Sequence, residues 1–98
     1  MIRRSNSEIS LGDAIREFIE QNGLENGMDK AKIISSWEKV TGKLVAKHTL
    51  DISFEGSNLY VKVDSAALKQ ELIHQRSKII KKLNKIVNKE IVSELIIN

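Results

Sequence analysis

Lys78, Lys81, Lys82, Lys85 and Lys89 crowd the end of one apolar-periodic stretch, residues 65–89. At about 100° per residue, they fall within an arc of roughly 100° on one side of a helix. Leu68, Leu72, Ile79, Ile80, Leu83, Ile86 and Val87 occupy a sector of roughly 120° on the other side. Charge runs ordinarily mark a solvated face, and interleaved Glu–Lys pairs would favour that reading. Here Glu71 precedes the run and Glu90 follows it, with no acid between residues 75 and 89. A column of ammonium groups without internal relief is suited to the phosphates of a polyanion. Nucleic-acid binding is favoured over catalysis.

Other residues capable of chemistry are fewer. Tyr60 and Lys62 alternate with Leu59, Val61 and Val63. They are expected on the open face of a strand, where a tyrosine beside a lysine can stack on a base. Trp37 shares a helical face with Ile33, Val40 and Leu44 and is expected in the core. Arg76 lies near the apolar sector, where it can snorkel or meet a carboxylate. His48 and His74 are the only histidines. They have no HxxxH or His–Asp spacing, so no metal site is expected. Ser35 and Ser36 have no nucleophile elbow around them. Asp13, Glu17 and Glu20 share a face of the first expected helix and could meet a basic partner. No enzyme and no cofactor are expected.

Composition narrows the classes further. The 98 residues suit a single domain, and the chain contains no cysteine and no proline. Disulfides, zinc ribbons and thiol catalysis are thereby excluded. A cysteine-free, lysine-rich chain fits a reducing cytoplasm. The basic start lacks a following apolar block, so no secretory signal is expected, and no apolar run approaches membrane-spanning length. Net charge is only +3, but residues 1–64 contribute −1 and residues 65–98 contribute +4. The asymmetry points to a basic patch on a balanced domain.

The elements that must position these residues follow from periodicity. Residues 1–7 are polar and expected to fray, and residues 8–98 read as one domain. A first helix begins near Ser10 and Asp13 and stops at Asn22-Gly23; residues 24–28 form a short connection. Asp29 caps a second helix running to Lys47 or His48. Gly42 within it either permits close packing or marks a kink. Leu50, Ile52 and Phe54 alternate with polar residues, as do Leu59, Val61 and Val63. These runs flank Gly56-Ser57-Asn58 and predict a β-hairpin with one buried face. Asp64 and Ser65 cap the long lysine-bearing helix, Asn88 ends it in the left-handed conformation, and residues 91–97 form a last strand. A right-handed crossover would lay that strand parallel to the second, though either hairpin edge is open to it. The fold class is α+β: a three-stranded mixed sheet, helices on one face, order ααββαβ.

Read in order, Leu24, Trp37-x-x-Val40-x-Gly42, His48-Thr49, Gly56-x-x-Leu59-Tyr60-Val61, Glu71-Leu72 and Leu83-Asn84 resemble the DciA family from Leu11 to Ile97. The resemblance implies a KH-like module that binds DNA and a bacterial replication factor that helps load or operate the DnaB-type helicase. The chain is similar to the short form; longer relatives carry a disordered extension associated with helicase contact. Among its five glycines no pair is three apart, so the GxxG clamp of single-strand-binding KH domains is missing. Binding would have to use side-chain charge. The expected partners are DNA, single- or double-stranded, and the helicase, with no membrane; oligomeric state is left open. Two alternatives stand beside this reading: a protein-interaction or dimerisation module without a nucleic-acid role, and a KH-like RNA-binding protein.

Overall fold

The computed structural model describes Asp13, Arg16 and residues 23–98. Asp13 and Arg16 are helical. The expected first helix otherwise lies outside the described residues, as do Glu17, Glu20 and the expected fraying of residues 1–7. The described chain runs α1 (Leu24–Ser35), α2 (Trp37–Thr41), α3 (Lys43–Lys47), β1 (Thr49–Glu55), β2 (Asn58–Val63), α4 (Ala66–His74), α5 (Arg76–Val87) and β3 (Glu94–Ile97). It is the α+β architecture that the periodicities predict.

Several boundaries differ from expectation, each for a local reason. Residues 24–28 begin α1 instead of forming a connection, and Asp29 lies inside that helix rather than capping it. The expected second helix is divided twice. At the first division the hydroxyls of Ser35 and Ser36 both donate to the Lys32 carbonyl, at 2.9 and 2.8 Å. This back-bonding offers the chain an alternative to the helical ladder, and Ser36 turns at φ −96°, ψ 1°. At the second, Gly42 adopts φ 99°, ψ 166°, a region essentially reserved for glycine. A Cβ there would meet no atom within 4 Å, so Gly42 serves the break and not a close approach. Gly42→Ala is therefore expected to cost about 1–3 kcal/mol through backbone strain alone, read as a lower urea midpoint. The break also resets the helical phase: Val45 is buried in place of the expected Leu44, which is exposed.

β1 and β2 pair antiparallel, from Glu55 opposite Asn58 to Thr49 opposite Val63. Gly56 opens their two-residue turn with φ 63°, the position where type II′ hairpins place glycine. A register shift between Thr49 and Asp51 leaves Leu50 as an extra residue. The bulge turns it outward, 44% exposed, instead of onto the buried face. β3 is shorter than expected and lies parallel to β2, giving the order β1-β2-β3. The parallel orientation is the one the crossover argument predicts; the β2 edge, left open by the sequence, is settled by the pairing.

Alternation decides what the sheet buries. Leu59, Val61 and Val63 of β2, with Leu95 and Ile97 of β3, join Ile33, Trp37, Val45, Leu72, Ile79, Leu83 and Val92 in one core. The helices thus cover one sheet face. The other carries Asp51, Ser53 and Glu55, then Asn58, Tyr60 and Lys62, then Glu94 and Ile96.

Candidate nucleic-acid interface

The expected single helix over residues 65–89 is two helices. Ser65 caps α4, its Oγ accepting from the Leu68 amide at 3.3 Å, and α4 ends at Gln75, with φ −100° and ψ 13°. Gln75 carries no glycine-like or proline-like signal. Its side chain donates back to Glu71 at 2.6 Å. All the interior lysines of the run fall on α5, so the jog leaves their arrangement intact. Ile79 and Leu83 fix α5 to the core, where it packs against α1 and α2. Its C-terminus is set by Asn88 in the left-handed conformation, φ 57°, ψ 32°, as expected of an asparagine there.

Lys78, Lys81, Lys82 and Lys85 are all exposed. They occupy an arc of about 100° on α5, on the side away from Ile79 and Leu83. No carboxylate of the described residues forms a salt bridge with any of the four. Lys89 behaves differently. Its Nζ donates to Glu25 Oε2 at 2.6 Å and Asp29 Oδ2 at 2.8 Å, tying the end of α5 to the start of α1. Its charge is answered inside the fold, so the free row has four members.

The hydrogen bonds to Asp29 and Glu25 raise the Lys89 pKa above its ordinary 10.5. A raised folded-state pKa adds stability that is full below about 10.5 and lost as pH rises through the folded value. Lys89→Met is accordingly expected to lower the urea midpoint at pH 8. The difference from the parent chain should close at strongly alkaline pH and narrow with added salt.

Tyr60 and Lys62 stand on the open sheet face, remote from the lysine row because the helical layer lies on the other face. Tyr60 is half-buried between Ser53 and Ile96, and Lys62 sits opposite Asp51. The structure therefore divides the sequence-predicted residues between two surfaces. Their electrostatics are opposed. The helices α1–α5 hold eleven basic against four acidic residues, while the three strands hold one basic against three acidic.

Trp37 and His48 have structural roles. Trp37 is buried, and its Nε1 donates to Thr49 Oγ1 at 3.0 Å; that hydroxyl donates to the Val45 carbonyl at 2.7 Å. His48 caps the end of α3 and shares a 2.7 Å hydrogen bond with Asp64. His74 and Arg76 are exposed. Among the described residues, no group of three or more His, Cys, Asp or Glu could hold a metal ion, and no helix is long and apolar enough to cross a membrane. Sequence reasoning misses Lys30, buried on α1 with its ammonium 5.3 Å from the Phe54 ring centroid. Burial lowers its pKa from 10.5. Asn84 enters the sequence reading only within the Leu83-Asn84 motif, which gives no hint of its role: its side chain makes three hydrogen bonds to the segment leading into β3.

The family model described as "Dna[CI] antecedent, DciA" matches residues 10–97. The chain belongs to the DciA family. Membership links it to the loading of the DnaB-type helicase in replication. The match spans α1 through β3 and so takes in both the lysine row and the open sheet face. No curated protein and no solved structure matches the chain.

Proposed function

We propose that the chain is a non-enzymatic cytoplasmic DNA-binding module that holds DNA for the DnaB-type helicase during replication initiation. The observation that carries the reading is the row of Lys78, Lys81, Lys82 and Lys85, exposed and without a carboxylate partner among the described residues. Ammonium groups on flexible stems contact phosphates, which fix position and carry no sequence information. Sequence preference is accordingly weak. Lys89 contributes less because its charge is engaged. Tyr60 and Lys62 stay outside this contact, since their face holds three carboxylates against one ammonium.

The function is tested by helicase loading on a circular single-stranded DNA. The parent chain should increase the amount of helicase retained on the circle. A variant with the four lysines changed to glutamate should not. Equal retention with both proteins would remove the lysine row from the function, and no retention with either would remove the loading role.

A further inference from the structure

The register of the three strands places the residues of the open sheet face in rows. Glu55, Asn58 and Glu94 form one row; Ser53, Tyr60 and Ile96 form the next; Asp51 and Lys62 begin a third. With neighbouring strands about 4.8 Å apart, Glu55 and Glu94 flank Asn58 at about 10 Å from each other across the sheet. Both are exposed, and neither forms an ion pair with the described basic residues. Tyr60 and Ile96 are half-buried side by side. The face has an apolar centre, an acidic end, and no element of the described chain upon it.

We infer that this sheet face docks a basic, partly apolar segment of a partner protein. A lysine or arginine of that segment would sit over Asn58 between Glu55 and Glu94, and an apolar side chain would lie on Tyr60 and Ile96. Charge complementarity selects the occupant. Among the described residues the strands have a balance of −2 while helices α1–α5 have +7, so a polyanion is drawn to the helices and a cationic segment to the sheet. A second copy could offer its own α5 to this face. That contact joins two different surfaces and closes only as a ring or a reciprocal pair, propagating otherwise. The occupant we commit to on charge complementarity is a segment of a different protein, with self-association as an outcome of the test. The inference goes beyond the DNA reading and does not depend on it.

The test titrates the full chain into a short fluorescein-labelled peptide of lysines and leucines, followed by anisotropy, with a glutamate–leucine peptide as comparison. The lysine–leucine peptide should bind saturably and the acidic one should not. Glu55→Gln with Glu94→Gln should weaken binding about fivefold, as expected for two exposed charge contacts. Ile96→Ser should weaken it as well, whereas Glu71→Gln with Glu90→Gln should leave it unchanged. Because these glutamates are exposed, thermal melts of the glutamine variants should match the parent. Absence of peptide binding, or binding indifferent to the sheet-face variants, overturns the inference. So does a self-associating chain in light scattering whose association is lost in the Glu55→Gln, Glu94→Gln variant, because a second copy would then be the occupant. DNA affinity measured on the same variants should not fall, which separates failure here from failure of the lysine row.

Discussion

Changing Lys78, Lys81, Lys82 and Lys85 together to glutamate should lower affinity for duplex DNA by about three orders of magnitude or more at 0.1 M salt. Each phosphate contact contributes about 0.9 to the log–log salt slope, so four contacts supply about 3.6 decades between 0.1 and 1 M salt. Reversal also replaces attraction with repulsion. The four side chains are exposed on α5, opposite the buried Ile79 and Leu83, so circular dichroism and the thermal midpoint should change little. Two comparisons sharpen the result. Lys62→Glu, on the opposite sheet face, should alter DNA affinity by no more than about twofold, because charges beyond a Debye length are largely screened. A single Lys82→Ala should reduce the salt slope by about one. Anisotropy with labelled oligonucleotides reads all three.

The second large effect is on stability, at Asn84. Its Oδ1 accepts from the amides of Ile91 and Val92, at 3.0 and 2.8 Å, and its Nδ2 donates to the Val92 carbonyl at 3.0 Å. These bonds hold the connector between α5 and β3, where Val92 is buried. Asn84→Ala strips partners from two amides and a carbonyl at once, at about 1–3 kcal/mol for a group left unsatisfied in the interior. The expected loss is about 2–4 kcal/mol, tempered by the half-buried position. Against a total of about 5–15 kcal/mol for an ordinary domain, that is a large fraction. Asn84→Asp keeps the acceptor and loses the donor, so it should cost less. Urea denaturation monitored by Trp37 fluorescence checks both, with an unchanged slope showing that the loss lies in the folded state.

These two effects differ in how far the amino-acid sequence alone reveals them, and the range of the interactions is the reason. Local patterns are legible: the hairpin around Gly56, the Ser65 cap, the left-handed Asn88 and the cationic face of α5 all depend on neighbours within one or two turns. The parallel β3 follows from handedness, a global rule that operates without knowing a single contact. What escapes depends on partners distant in sequence or on the competition of two local options. Lys89 reads as the fifth member of a free row, because Glu25 and Asp29 are 64 and 60 residues away. Ser35 and Ser36 read as inert, yet their hydroxyls on one carbonyl end α1. The α4–α5 jog at Gln75 leaves no mark, since Gln is a good helix former and the apolar spacing continues across it. Leu50 is expected on the buried face because alternation has no way to register a bulge. The division of Tyr60 and Lys62 from the lysine row requires knowing which sheet face the helices cover.

The contrast, among the described residues, between +7 on helices α1–α5 and −2 on the sheet points to one arrangement of roles. DNA would lie along α5 while the sheet face stays available to protein. Such a division suits a factor that holds its partners in place.

The most direct test is the salt dependence of duplex-DNA affinity for the unmodified chain, from low to physiological salt. Four free lysines predict a log–log slope of about −3.6 on B-form DNA. A slope near zero with binding retained would mean that phosphates are not held by α5, contradicting the role assigned to the lysine row.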